Sequence, residues 1–157
     1  MACGVLTLSA KAESVPAARA FVRARCEAWG GDAAACDAAV LLSSELVTNA
    51  VLHARTPMSI DVERRGERVR IEVRDFHPAL PLPRRYNVDN ATGRGLRLLE
   101  TMASAWGVVK VPDVEQPGKI VWFQLPLHTD AGMDEAEMAA AFRDVLDVDW
   151  IAQIDPL

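Results

Sequence analysis

The sequence predicts an α/β domain in which helices cover one face of a sheet. Three observations carry that reading: two stretches of helical period in the first third, an alternating β-hairpin in the middle, and two short apolar segments before residue 127. Gly4-Val5-Leu6-Thr7-Leu8-Ser9 alternates like a short strand. Ser14-Val15-Pro16 then opens a helix that runs to about Trp29, proline being tolerated in a first turn where its missing N–H is not needed. Gly30-Gly31-Asp32 closes that helix and caps the next.

The second helix, through Val40 to Ala54, carries the most information. At roughly 100° per residue, Val40, Val47, Val51 and Ala54 form one apolar row, while Ser44, Thr48 and Arg55 share a side where water is the natural partner. Glu45, Asn49 and His53 lie on neither side. They form a carboxylate-amide-imidazole patch flanked by Leu42, Leu46 and Leu52. Burying such groups without partners costs a few kcal/mol each, so the notch implies something polar to fill it and suggests a nucleotide site.

Downstream, Met58, Ile60 and Val62 alternate with Ser59, Asp61 and Glu63, and a turn at Arg65-Gly66 leads back through Val69, Ile71 and Val73. This is a hairpin with one buried face. Asp75 shares the parity of Val69, Ile71 and Val73, so its carboxylate is predicted to enter from the core side, where a buried acid needs a partner. From Phe76 to Asn90 the chain reads as a long loop, with Pro78, Pro81 and Pro83 followed by Arg84 and Arg85. Thr92-Gly93-Arg94-Gly95-Leu96 opens a helical pattern that ends near Trp106-Gly107. Glycines at a helix N-terminus let backbone N–H groups approach a phosphate. Val108 to Val111 and Ile120 to Leu125, joined through Pro112 to Lys119, complete the sheet.

Composition fits one soluble domain: 157 residues, half of them apolar and a quarter charged. We divide it into a domain over 1–128 and an acidic C-terminal tail over 129–157, in which residues 133–151 read as a helix. No apolar run approaches the roughly 18 residues of a membrane span, and the start lacks the pattern of a secretory leader, so a cytoplasmic location without membrane attachment is expected. Cys3, Cys26 and Cys36 are odd in number and lack CxxC spacing, which disfavours a disulfide framework or a zinc site. From residue 130 onward eight acidic residues face the single Arg143, a net of −7, so residues 1–129 hold +2 of the total −5. A chain without a basic footprint is not expected to bind nucleic acid directly; a protein partner or a small anion is favoured.

These pieces occur in the order of the GHKL, or Bergerat-fold, ATP-binding superfamily. From about Gly4 to Leu127 the chain resembles its small single-domain branch, the bacterial anti-sigma-factor serine/threonine kinases. Glu45-Leu46-Val47-Thr48-Asn49-Ala50 is similar to the N-box, Asp75 to the first acidic box, Gly93-Arg94-Gly95-Leu96 to the second glycine box, and Gly118-Lys119-Ile120-Val121-Trp122-Phe123 to the terminal strand motif. The resemblance implies an α+β two-layer sandwich, with a mixed, mostly antiparallel sheet and helices packed on one face. It also implies ATP and Mg²⁺ as cofactors. Asn49 would coordinate Mg²⁺ through its side-chain oxygen, and Glu45 would act as general base or orient the attacking hydroxyl. Asp75 would accept from the adenine amine, while Gly93, Arg94, Gly95 and Leu96 would close over the phosphates.

By the same resemblance the protein holds a sigma factor inactive and phosphorylates an anti-anti-sigma protein on Ser or Thr, a partner-switching role in transcription regulation. Homodimerisation follows by analogy alone. Two departures bear on activity. Asp75-Phe76-His77-Pro78-Ala79 lacks the glycine that usually follows the aspartate. The terminal motif often has threonine after Gly-Lys, whose hydroxyl can support the aspartate, and Ile120 stands there instead. The alternative reading is therefore a noncatalytic interaction module with a degenerate nucleotide pocket.

Overall fold

Residues 3–76, 99–112 and 115–128 are described by the computed structural model of the chain. The proline-rich loop after Phe76 with Arg84 and Arg85, the Gly93-Arg94-Gly95-Leu96 motif, and the acidic tail lie outside the described residues. In chain order the elements are β1 (Cys3–Leu8), α1 (Ser14–Ala28), α2 (Ala33–Asn49), a π-helical turn (Ala50–Ala54), β2 (Met58–Arg65), β3 (Arg68–Asp75), β4 (Ala105–Val111) and β5 (Gly118–Pro126). The strands form one sheet in the order β1-β2-β3-β5-β4. Every described pairing is antiparallel. The sheet implied as mixed is thus wholly antiparallel among these residues, within the α+β class that the sequence suggests.

Alternation in β2 and β3 produces the two-sidedness. Met58, Ile60 and Val62 face the same side as Val69, Ile71 and Val73, and all six are buried. Gly66, at the first central position of the two-residue turn, has φ 62°, as tight hairpins require. On β5, Val121, Phe123 and Leu125 add to the same layer. α1 and α2 pack together over this apolar side, placing Val22, Leu42, Leu46 and Val47 in one core with the strands. Each fully buried aliphatic side chain contributes about 1.5–3 kcal/mol relative to exposure, so the layer itself fixes the strand register.

The α1–α2 connection follows its expected chemistry. Asp32 is the N-cap of α2, its carboxylate accepting from the Ala35 N–H at 2.8 Å, and its own N–H donates to the Leu127 carbonyl at 2.9 Å. Asp32→Ala is expected to lower the unfolding free energy by about 1 kcal/mol in urea denaturation. Beside this turn, Cys26 and Cys36 are buried and only Cys3 is exposed. Burial, with Cys36 alongside, pushes the Cys26 thiol up to about 12, which makes it a packing group and not a reactive one.

Two expectations are corrected. The helix expected to end near Trp106-Gly107 has helical residues at 99–102, and both Trp106 and Gly107 belong to β4. Gly107 pairs with Trp122, and a Cβ there would lie 2.8 Å from the indole nitrogen. This glycine makes room for a ring and does not stop a helix. The stretch Ala33–Ala54 is long and apolar enough to cross a membrane, contrary to the sequence reading, but 72% of its most apolar window is buried inside the domain. It is the core helix of the fold.

The other face of the sheet mixes charged and apolar residues, with Asp61 opposite Glu72 and Arg70 stacked 4.0 Å from the Trp122 ring centroid. Burial, and then Glu72 and Glu63, hold the Asp61 carboxyl above the usual carboxylate range. A raised folded-state value means the ionised form is disfavoured in the fold, so its cost is present at neutral pH and is relieved as pH falls through that value. Asp61→Asn is expected to raise the Tm at pH 7, by an amount that shrinks as pH falls and the native carboxyl takes up its proton. A gain independent of pH in thermal melts would contradict this assignment.

Candidate functional site

The site begins at the end of β3. Asp75 continues the inward parity of its strand and is 3% exposed, as the alternation predicts. Met58 on β2 and Lys119 on β5 are its cross-strand neighbours. Lys119 Nζ donates to Asp75 Oδ2, with the two side chains 12% and 4% exposed. The backbone is equally close. A Cβ on Gly118 would stand 2.0 Å from the Asp75 carbonyl oxygen, so only glycine lets β5 start against this corner.

Lys119 is the residue that sequence reasoning missed. The motif resemblance singles out Ile120, but Ile120 pairs with Arg74, on the opposite face from Asp75. No hydroxyl at position 120 could support the aspartate. The missed signal is the parity that located Asp75: with Val121, Phe123 and Leu125 inward, position 119 must also point inward.

α2 supplies the second group of residues. Glu45 is buried at 7% exposure, and Asn49, one turn later, is half-buried at the last position of α2. Immediately after Asn49 the helix widens into the π turn, where the Arg55 N–H donates to the Ala50 carbonyl at 3.1 Å, and Arg55 takes a left-handed φ of 55°. Single π turns occur often at functional sites. His53 is exposed. The chain then passes Thr56, whose Oγ1 accepts from the Phe76 N–H at 3.1 Å, and enters β2 at Met58 opposite Asp75. The segment that follows the π turn is thereby tied to the end of β3.

The side of α2 expected to meet water does not. Ser44 and Thr48 are buried, and Arg19 from α1 donates to Ser44 Oγ at 2.9 Å. A helical wheel shows which residues share a side but not that a neighbouring helix covers it. Arg55, which shared this side in the wheel, is exposed beyond the π turn.

At this end of the sheet a buried acceptor is paired with an ammonium beside a glycine corner, and the helix packed against β3 and β5 carries a buried carboxylate one turn from an amide. The family of histidine kinase-like ATPase domains matches residues 8–125, most of the chain. The chain belongs to this family. No curated protein matches it.

A histidine kinase-like ATPase domain implies a nucleotide, usually with Mg²⁺, and the described residues fit both. Among them no three His, Cys, Asp or Glu side chains form a metal cage. Mg²⁺ needs none, being commonly held by one or two protein oxygens together with waters and phosphates. The amide oxygen of Asn49 would be a hard ligand of that kind, and Asp75 is an acceptor already withdrawn from water. The glycine motif Gly93, Arg94, Gly95 and Leu96, to which phosphate contact was assigned, lies outside the described residues.

Proposed function

We propose that this chain is an ATP-binding regulatory protein, an anti-sigma factor with serine/threonine kinase activity towards an anti-anti-sigma partner. The observation that carries this reading is the buried Glu45 one turn before Asn49, on the helix that also packs over the strand ending in Asp75. The pairing of a base with a metal ligand on one helix of a small α+β domain suits phosphoryl transfer to a hydroxyl.

In this reading Asp75 accepts from the adenine amine and Asn49 holds Mg²⁺ through its side-chain oxygen. ATP supplies the phosphoryl group, and Mg²⁺ neutralises its charge. Glu45 Oε takes the proton from the Ser or Thr hydroxyl of the partner, from a position that is 7% exposed. The partner, released once phosphorylated, leaves the sigma factor bound and inactive in the cytoplasm.

Calorimetric titration with ATP, with and without Mg²⁺, tests the site. Glu45→Ala is expected to bind ATP as wild type does while losing phosphotransfer by about 10²-fold or more. Asn49→Ala is expected to lose the Mg²⁺-dependent part of binding. Unchanged transfer in Glu45→Ala would remove it as the base. If ATP does not bind wild type, and partner capture survives both substitutions, the noncatalytic module is the correct reading.

A further inference from the structure

We infer that Lys119 is a base-reading residue of the nucleotide site, its ammonium donating to the ring nitrogen beside the adenine amine that Asp75 accepts. The inference rests on the ATP-binding reading above and adds to it a residue and a hydrogen bond. Its starting point is the cross-strand pair: Asp75 and Lys119 stand opposite each other, Nζ bonded to Oδ2, with 4% and 12% of their side chains exposed. The ammonium is therefore not a surface charge that happens to lie near a carboxylate. It is held at the atom to which the adenine amine is assigned.

The chemistry of the base supplies the next step. An ionised carboxylate can only accept hydrogen bonds, and an ammonium can only donate them. Adenine presents its amine next to a ring-nitrogen acceptor on either side, N1 or N7. A carboxylate alone satisfies the amine and leaves the ring nitrogen to water. Where proteins read adenine in DNA, one Asn or Gln amide covers the amine and N7 together, offering an acceptor and a donor side by side. Asp75 and Lys119 offer the same acceptor and donor from two strands, at hydrogen-bond separation from each other.

Among the described residues at the start of β5, Lys119 is the donor placed for this role, and Lys110, its cross-strand neighbour on β4, is exposed. Gly118 has no side chain, Ile120 is on the far face opposite Arg74, and Val121 is apolar. Stability alone does not account for the pair either, because a buried ion pair is often no better than two apolar residues of similar volume. A ligand-directed donor gives the lysine a reason to be there.

The test compares ADP with its 1-deaza and 7-deaza analogues in Mg²⁺ buffer, by calorimetry on the full chain. In wild type, the analogue lacking the nitrogen that is read is expected to bind about tenfold more weakly than ADP. Lys119→Met is expected to abolish that penalty, binding ADP and the analogue alike. Lys119→Gln, which keeps an N–H donor, is expected to retain it. The penalised analogue identifies N1 or N7. Wild type that binds both analogues as tightly as ADP overturns the inference without any variant, as does an equal penalty in wild type and Lys119→Met; both results leave the ATP site standing. Absence of ADP binding to wild type at millimolar concentration overturns the ATP-site reading and this inference with it.

Discussion

Gly118→Ala is expected to cost about 3 kcal/mol or more of folding stability, among the largest single-residue effects in the domain. The added Cβ would stand 2.0 Å from the Asp75 carbonyl oxygen, 3.0 Å from its carbon and 3.1 Å from the Phe76 Cα. All three are backbone atoms and have no rotamer into which to retreat. Relief requires the start of β5 to move off the end of β3, which opens the Lys119–Asp75 pairing of the ladder. Gly66→Ala is the matched control. Gly66 also needs its glycine, but for its φ of 62°, and a Cβ there meets nothing within 4 Å. Its cost is expected to be about 1 kcal/mol. Equal losses in urea denaturation would mean that the close approach at Gly118 is absent. Because the displaced segment carries Asp75, nucleotide affinity is expected to fall with stability in Gly118→Ala and to be untouched in Gly66→Ala.

Much of this architecture is legible in the sequence where a period of two meets a single buried face. β2 and β3 follow directly from alternating apolar residues, and the burial of Asp75 follows from the same count. The same rule extends to Lys119, whereas the motif resemblance points one position further, to Ile120. Other features depend on neighbours distant in sequence. Ser44 is buried where Arg19 of α1 reaches over it, and Gly107 is a strand residue because Trp122 crosses it. Neither contact leaves a local trace. The π turn after Asn49 is likewise silent, since Ala-Val-Leu-His-Ala reads as ordinary helix. Glu45 and Asn49 stood out for the opposite reason: polar groups interrupting an apolar helix are visible without knowing what packs against them.

Asp75 variants are expected to separate what holds the fold together from what binds the nucleotide. Asp75→Val alone leaves the Lys119 ammonium, 12% exposed, without its carboxylate, and breaking a buried ion pair from one side costs about 3–5 kcal/mol. The same substitution removes the acceptor assigned to the adenine amine, so nucleotide binding is expected to vanish as well. A single variant therefore cannot tell a binding role from a structural one. Asp75→Val combined with Lys119→Met resolves the two, because apolar residues can replace a buried pair at little or no net cost. The double variant is expected to recover most of the lost stability and none of the nucleotide affinity, measured by urea denaturation and by calorimetry on the same preparations. Recovery of both would show that Asp75 serves only the fold. Recovery of neither would show that charge and shape at this corner are too closely coupled to Gly118 and the β3–β5 ladder to be exchanged, and would locate the role of the aspartate in the backbone geometry it anchors.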